Sequence, residues 1–149
     1  MVDVIIREAT SADAPAIVAI YRSAGIEEGT SFTAEEARAH FAVFSRYPNY
    51  RFFVAIAGGQ IVASYALLIM DNLAKRGRRS GVVEDVAVSP EHQGHGIGRA
   101  LIQHAQERCR EAGCYKFVLS SGISREKAHA FYESIGLKRH GFSFLAGIE

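Results

Sequence analysis

The chain has 149 residues, 48% of them apolar and 22% charged, with a formal net charge of +1. That is the size and balance of one globular domain with a real core, and it argues against a bulk electrostatic binder of nucleic acid. Cys109 and Cys114 show neither a metal spacing nor a disulfide framework, so reduced thiols, no metal and a cytoplasmic location are expected. Asp3, Arg7 and Glu8 rule out a signal-peptide pattern, and no apolar run approaches the ~18–20 residues of a membrane span. The short basic cluster Lys75, Arg76, Arg78 and Arg79, interrupted by Gly77, reads as a solvated loop, or as a local site for an acidic group.

In chain order, Val4–Arg7 reads as a first strand, and Thr10–Asp13 offers N-cap residues for a helix over Ala14–Ser23. Ile17, Ile20 and Tyr21 fall on one face of that helix, and Gly25 ends it. A second helix starts at Thr33-Ala34-Glu35-Glu36 and runs toward Phe44. Arg51–Ala57 and Ile61–Met70 are strands joined at Gly58-Gly59-Gln60, a hairpin signal. Residues 71–80 form a polar loop, and Gly81–Val88 is the next strand. A helix over Gly98–Ala112 buries Ala100, Leu101, Ile102, Ala105 and Cys109, and Gly113 caps it. Tyr115–Ser120 is a strand, Arg125–Ile135 a helix, and Phe142–Leu145 a candidate last strand. The pattern predicts one mixed α/β domain over residues 1–149, with hairpins first and a β-α-β crossover later.

Between the 81–88 strand and the long helix lies Gln93-Gly94-His95-Gly96-Ile97-Gly98-Arg99. Glycines let backbone N–H groups approach a ligand, and a helix start adds unpaired N–H groups and a positive dipole end. Such a loop cradles phosphate, although a plain glycine turn before a helix has the same composition. The G-x-G-x-G spacing is not the dinucleotide fingerprint, and no Gly-Lys-Ser/Thr follows as in a P-loop. The loop does match the [QR]-x-x-G-x-[GA] signature of the GNAT superfamily of N-acetyltransferases. A second signature, Ala128-His129-Ala130-Phe131-Tyr132-Glu133-Ser134-Ile135-Gly136-Leu137, follows in the right order. The whole chain resembles that superfamily. Glu84-Asp85-Val86-Ala87-Val88 is also similar to a run found in small-amine members, amino-sugar-phosphate acetyltransferases among them.

The resemblance implies a GNAT-like fold: a mostly antiparallel, twisted mixed sheet with splayed central strands and about four helices. It implies acetyl-CoA as co-substrate, its pyrophosphate on Gln93, Gly94, His95, Gly96, Ile97, Gly98 and Arg99, and its pantetheine arm along Val86, Ala87 and Val88. A backbone N–H near Val86 would serve as oxyanion donor. Phe131 borders the site, and Tyr132 would protonate the leaving thiolate, unless the two are core aromatics. Where many members carry an Asn, this chain has Arg125, which could reach a cofactor phosphate or an anionic acceptor.

Glu84 and Asp85 are the candidate bases. Strand alternation turns only one toward the cleft, and Glu84 is preferred. Tyr21, Glu27, Glu28, Thr30 and Phe32 are candidate acceptor contacts, whereas His40, His92, His95, His129 and His140 read as structural or solvated. The expected function is direct acetyl transfer to a primary amine of a small molecule, without an acyl-enzyme. The alternatives are a protein lysine or N-terminal acetyltransferase, or a non-catalytic acyl-CoA-binding module. The expected partners are a small amine and a second copy of the chain, paired through edge strands or the apolar 142–146 tail.

Overall fold

In the computed structural model, which describes residues 2–148, local capping sets the first two helices. The Thr10 N–H donates to Asp13 at 2.8 Å, and the Arg7 guanidinium clamps the same carboxylate at 2.7 and 3.0 Å. Asp13 is buried, and these donors hold its pKa below the usual carboxylate range, the Arg7 hydrogen bond foremost. Helix α1 (Ala14–Ser23) follows directly. Thr33 and Glu36 form a reciprocal capping box for α2 (Ala34–Phe41), at 3.2 and 2.8 Å. The helix predicted to run on toward Phe44 tightens instead into a 3-10 turn over Ala42–Arg46.

Five strands form one sheet in the order β1-β2-β3-β4-β5: β1 (Ile5–Glu8), β2 (Tyr50–Ala57), β3 (Gln60–Met70), β4 (Arg79–Val88) and β5 (Cys114–Val118). The first three pairings are antiparallel and β4–β5 is parallel. Gly58 and Gly59, both at positive φ, close a two-residue hairpin between paired Ala57 and Gln60. Helix α3 (Ile97–Glu111) supplies the crossover from β4 to β5.

The sheet has two differently filled faces. Phe52 and Ala66 are paired and pack with Ile17 of α1. Their neighbours Phe53 and Tyr65, also paired, point the other way, as strand alternation requires. There Phe53 stacks on Tyr65 at 5.1 Å, and the Tyr65 hydroxyl meets Nδ1 of His104 on α3 at 2.7 Å. Burial keeps Tyr65 a phenol and lowers the His104 pKa, so the bond joins two neutral groups. Gly81 lies on this α3 face: a Cβ there would stand 2.6 Å from Cys109 Sγ and 3.1 Å from Phe117 Cβ. A side chain at 81 would push α3 off the sheet.

Residue contacts divide the chain into two compact units, Met1–Val118 and Leu119–Glu149. The second contains α4 (Glu126–Ser134). The strand expected at Phe142–Leu145 is not formed, and the tail does not close a core: Phe142, Phe144 and Leu145 are each more than 90% exposed. Only Phe142 and Phe144 of that short stretch alternate cleanly, and Gly141 and Gly147 flank it, so local propensity is weak.

Candidate active site

The first part of the site is built from β4 and the loop after it. Pairing of β4 with β5 ends at Val82–Val118, while β4 runs on to Val88. β5 ends there, so the half of β4 carrying Val86, Ala87 and Val88 lacks a β5 partner. The Gln93 side-chain amide donates to the Val88 carbonyl at 3.0 Å and ties the loop to the strand end.

Gly94 and Gly96 sit at φ of 78° and 85°. Nothing lies within 4 Å of a Cβ placed on Gly94, so its backbone conformation, not crowding, calls for glycine. Gly96 is the N-cap of α3 and brings no side-chain acceptor. Ala100 is the first residue whose N–H bonds back into the helix, at 3.1 Å to Gly96. The N–H groups of Ile97, Gly98 and Arg99 are left without intrahelical partners. No acidic residue occupies this first turn. The exposed Gln93, Gly94, His95, Gly96 and Arg99 surround the opening, and Ile97 anchors it in the core. Such a set of donors suits a spread anion such as a pyrophosphate.

The second part is a cavity of about 240 Å³ on the α1 face of the sheet. Its walls are Ile17, Val18 and Tyr21 of α1, Ala37, His40 and Phe41 of α2, and Phe32, Phe44, Tyr50 and Phe52. The rings interlock: Phe44 lies 4.5 Å from Phe52, 5.5 Å from Tyr50 and 5.7 Å from His40. Two carboxylates, Glu27 and Asp85, complete the lining. Of the acceptor contacts expected from sequence, Tyr21, Glu27 and Phe32 are here, and Glu28 and Thr30 are not. His40, read from sequence as structural or solvated, is part of the wall.

Asp85 reaches this cavity through a β-bulge. Ala66 pairs with Glu84 and Ser64 with Ala87, so Asp85 and Val86 together oppose Tyr65. Asp85 takes φ of 52°. Glu84 stands in register with Ala66 and Phe52, on the same face of the sheet, but is not part of the cavity lining. Alternation would send Asp85 to the α3 face, but the bulge brings it to the same side as Glu84. Partial desolvation raises the pKa of both, and Asp85 adds to the rise at Glu84. Burial, with Asp85 contributing, also raises the hydroxyl pKa values of Tyr21 and Tyr50. The Tyr21 hydroxyl is buried without a hydrogen-bond partner among the described residues.

In the second unit, Arg125 immediately precedes α4, and Phe131 and Tyr132 lie half-buried on it with ring centroids 5.3 Å apart. Burial raises the Tyr132 pKa, and Arg125 partly offsets the rise. The phenol is therefore protonated at neutral pH. His129 Nε2 meets the Gly122 carbonyl at 2.8 Å, which fits its structural reading. The thiol of Cys109 is pushed up to about 12 by burial and is no nucleophile at neutral pH.

The model of the acetyltransferase (GNAT) family matches residues 17–137. A glucosamine 6-phosphate N-acetyltransferase of Trypanosoma brucei brucei is 43% identical over 82 residues, 55% of this chain and 54% of that protein. An aminoalkylphosphonate N-acetyltransferase of Salmonella typhimurium is 32% identical over 107 residues, 72% of this chain and 69% of that protein. The match thus spans about half the length of the first relative and about two thirds of the second. The solved structure of an Agrobacterium tumefaciens protein superimposes with a TM-score of 0.89 at 33% identity, covering 97% of this chain and 99% of that one. With the glycine loop, the long β4 that outruns β5 and a match across most of its length, the chain belongs to the GNAT family of acetyltransferases.

Proposed function

We propose that this chain transfers the acetyl group of acetyl-CoA to the primary amine of a small molecule, by direct attack in a ternary complex. The observation that carries the reading is the 93–99 loop, with its free N–H groups opening α3 after the end of β4 that lacks a β5 partner. When bound, the co-substrate supplies an activated acetyl thioester. The backbone N–H groups of Gly94 through Arg99 hold its pyrophosphate, and the open edge at Val86, Ala87 and Val88 accepts the pantetheine arm as a false strand. The Val86 N–H, freed from ladder register by the bulge, polarises the thioester carbonyl.

Glu84 accepts the proton of the substrate ammonium. Its raised pKa brings it closer to the operating pH, which favours a general base. Tyr132, held as a phenol, donates to the departing sulfur. Phe131 packs beside it, and Arg125 supplies a cation for a phosphate of the co-substrate. The small ring-walled cavity favours a small amine over a peptide as acceptor.

The test is acetyl-CoA-dependent thiol release across a panel of amines, with co-substrate binding measured in the same samples. Tyr132→Phe is expected to lower kcat about 10²-fold with acetyl-CoA affinity little changed. Glu84→Gln is expected to abolish the acid limb of the pH profile. Tight acetyl-CoA binding without turnover of any amine would refute the enzymatic reading.

A further inference from the structure

Given that acetyltransfer reading, we infer that the acceptor is a cationic amine on an apolar, ring-sized body, of the arylalkylamine class, and that it carries no phosphate. Two features of the cavity lining converge on this class. Its charged lining is acidic only: Glu27 and Asp85 take part, and no Lys or Arg among the described residues does. An ammonium is matched there, and a phosphate or phosphonate would face two like charges. The rest of the wall is dominated by aromatic rings, with those of Phe44 and Phe52 4.5 Å apart. Rings bind a flat apolar body, and they also bind the cation attached to it. The volume of about 240 Å³ has room for a single ring with a short aminoalkyl arm.

The position of Asp85 gives the arm a direction. The bulge that brings Asp85 to the cavity also breaks the ladder at Val86, next to the edge assigned to the thioester. An ammonium on Asp85 therefore lies at the reacting end, while the ring extends toward Phe32, His40 and Phe44. The two relatives described above are named for amines bearing phosphate or phosphonate. The charges in this cavity set the chain apart from that chemistry.

The test compares phenethylamine and tyramine with glucosamine 6-phosphate and 2-aminoethylphosphonate, by thiol release and by calorimetric binding of each amine. The expected result is a kcat/KM at least about tenfold higher for the arylalkylamines. Phe32 is 43% exposed, so Phe32→Ala leaves the core intact, and it should raise the arylalkylamine KM by roughly 3- to 10-fold. Preference for either phosphorylated amine would overturn the inference and leave acetyl transfer standing. Absence of turnover with all amines would overturn the acetyltransfer reading, and calorimetry would still decide the cavity. Phenethylamine heat that weakens in Phe32→Ala supports the inference, and no heat overturns it.

Discussion

Gly81→Ala tests how closely α3 is docked on the sheet. The new Cβ would stand 2.6 Å from Cys109 Sγ, about 1 Å inside the ordinary contact distance of ~3.5–4 Å, and 3.1 Å from Phe117 Cβ. Cys109 is 4% exposed, and its Sγ must shift for the new methyl to fit. Overpacking of this kind costs about 1–3 kcal/mol, partly offset by the ~0.4–1 kcal/mol that Gly→Ala saves in unfolded-chain entropy. Cys109→Ala alone costs roughly 1 kcal/mol, as a small truncation in a core. In the double variant the methyl occupies space left by the sulfur, so a favourable coupling of about 1–2 kcal/mol is expected. Urea denaturation of the four proteins measures it. Because α3 begins at the glycine loop, Gly81→Ala should also raise the KM for acetyl-CoA, and Cys109→Ala should restore it. Additivity within about 0.5 kcal/mol would refute the argument, because the two substitutions would then act independently.

Three further outcomes are expected. Asp85 has a folded pKa above its unfolded value, so the native state holds the proton more tightly and stability falls as pH rises through that window. Asp85→Asn should therefore raise Tm at neutral pH, with the gain vanishing below the ordinary Asp pKa, and thermal melts across pH check both limbs. Asp13 has the opposite sign: its folded pKa is depressed, so its stabilisation is present above the unfolded pKa and is lost as pH falls through the folded one. Acid titration of unfolding should show that loss in the native chain and not in Asp13→Asn. His104→Ala leaves the Tyr65 hydroxyl without its partner and should cost about 1–3 kcal/mol in denaturant melts, much of it recovered by adding Tyr65→Phe.

What could be read from the chain alone was local. Thr33 and Glu36 announce a helix start because the capping box is complete within four consecutive residues, and Gly58-Gly59 announces its hairpin because the turn demands two positive φ values. The phosphate loop is legible for the same reason: left-handed glycines and a bare helix start are properties of residues 93–99 themselves. Tertiary structure decided everything that depends on who pairs with whom. The cavity joins residues 14–52 to Asp85, and Asp85 arrives there only because β3 and β4 pair out of step around Tyr65. A rule of alternation along one strand cannot foresee a bulge imposed by its neighbour. The Tyr65–His104 bond and the closeness of Gly81 to Cys109 likewise link residues far apart in the chain. Short-range sterics and hydrogen bonding write the phosphate loop into consecutive residues. The shape and charge of the acceptor cavity exist only once the sheet has chosen its register.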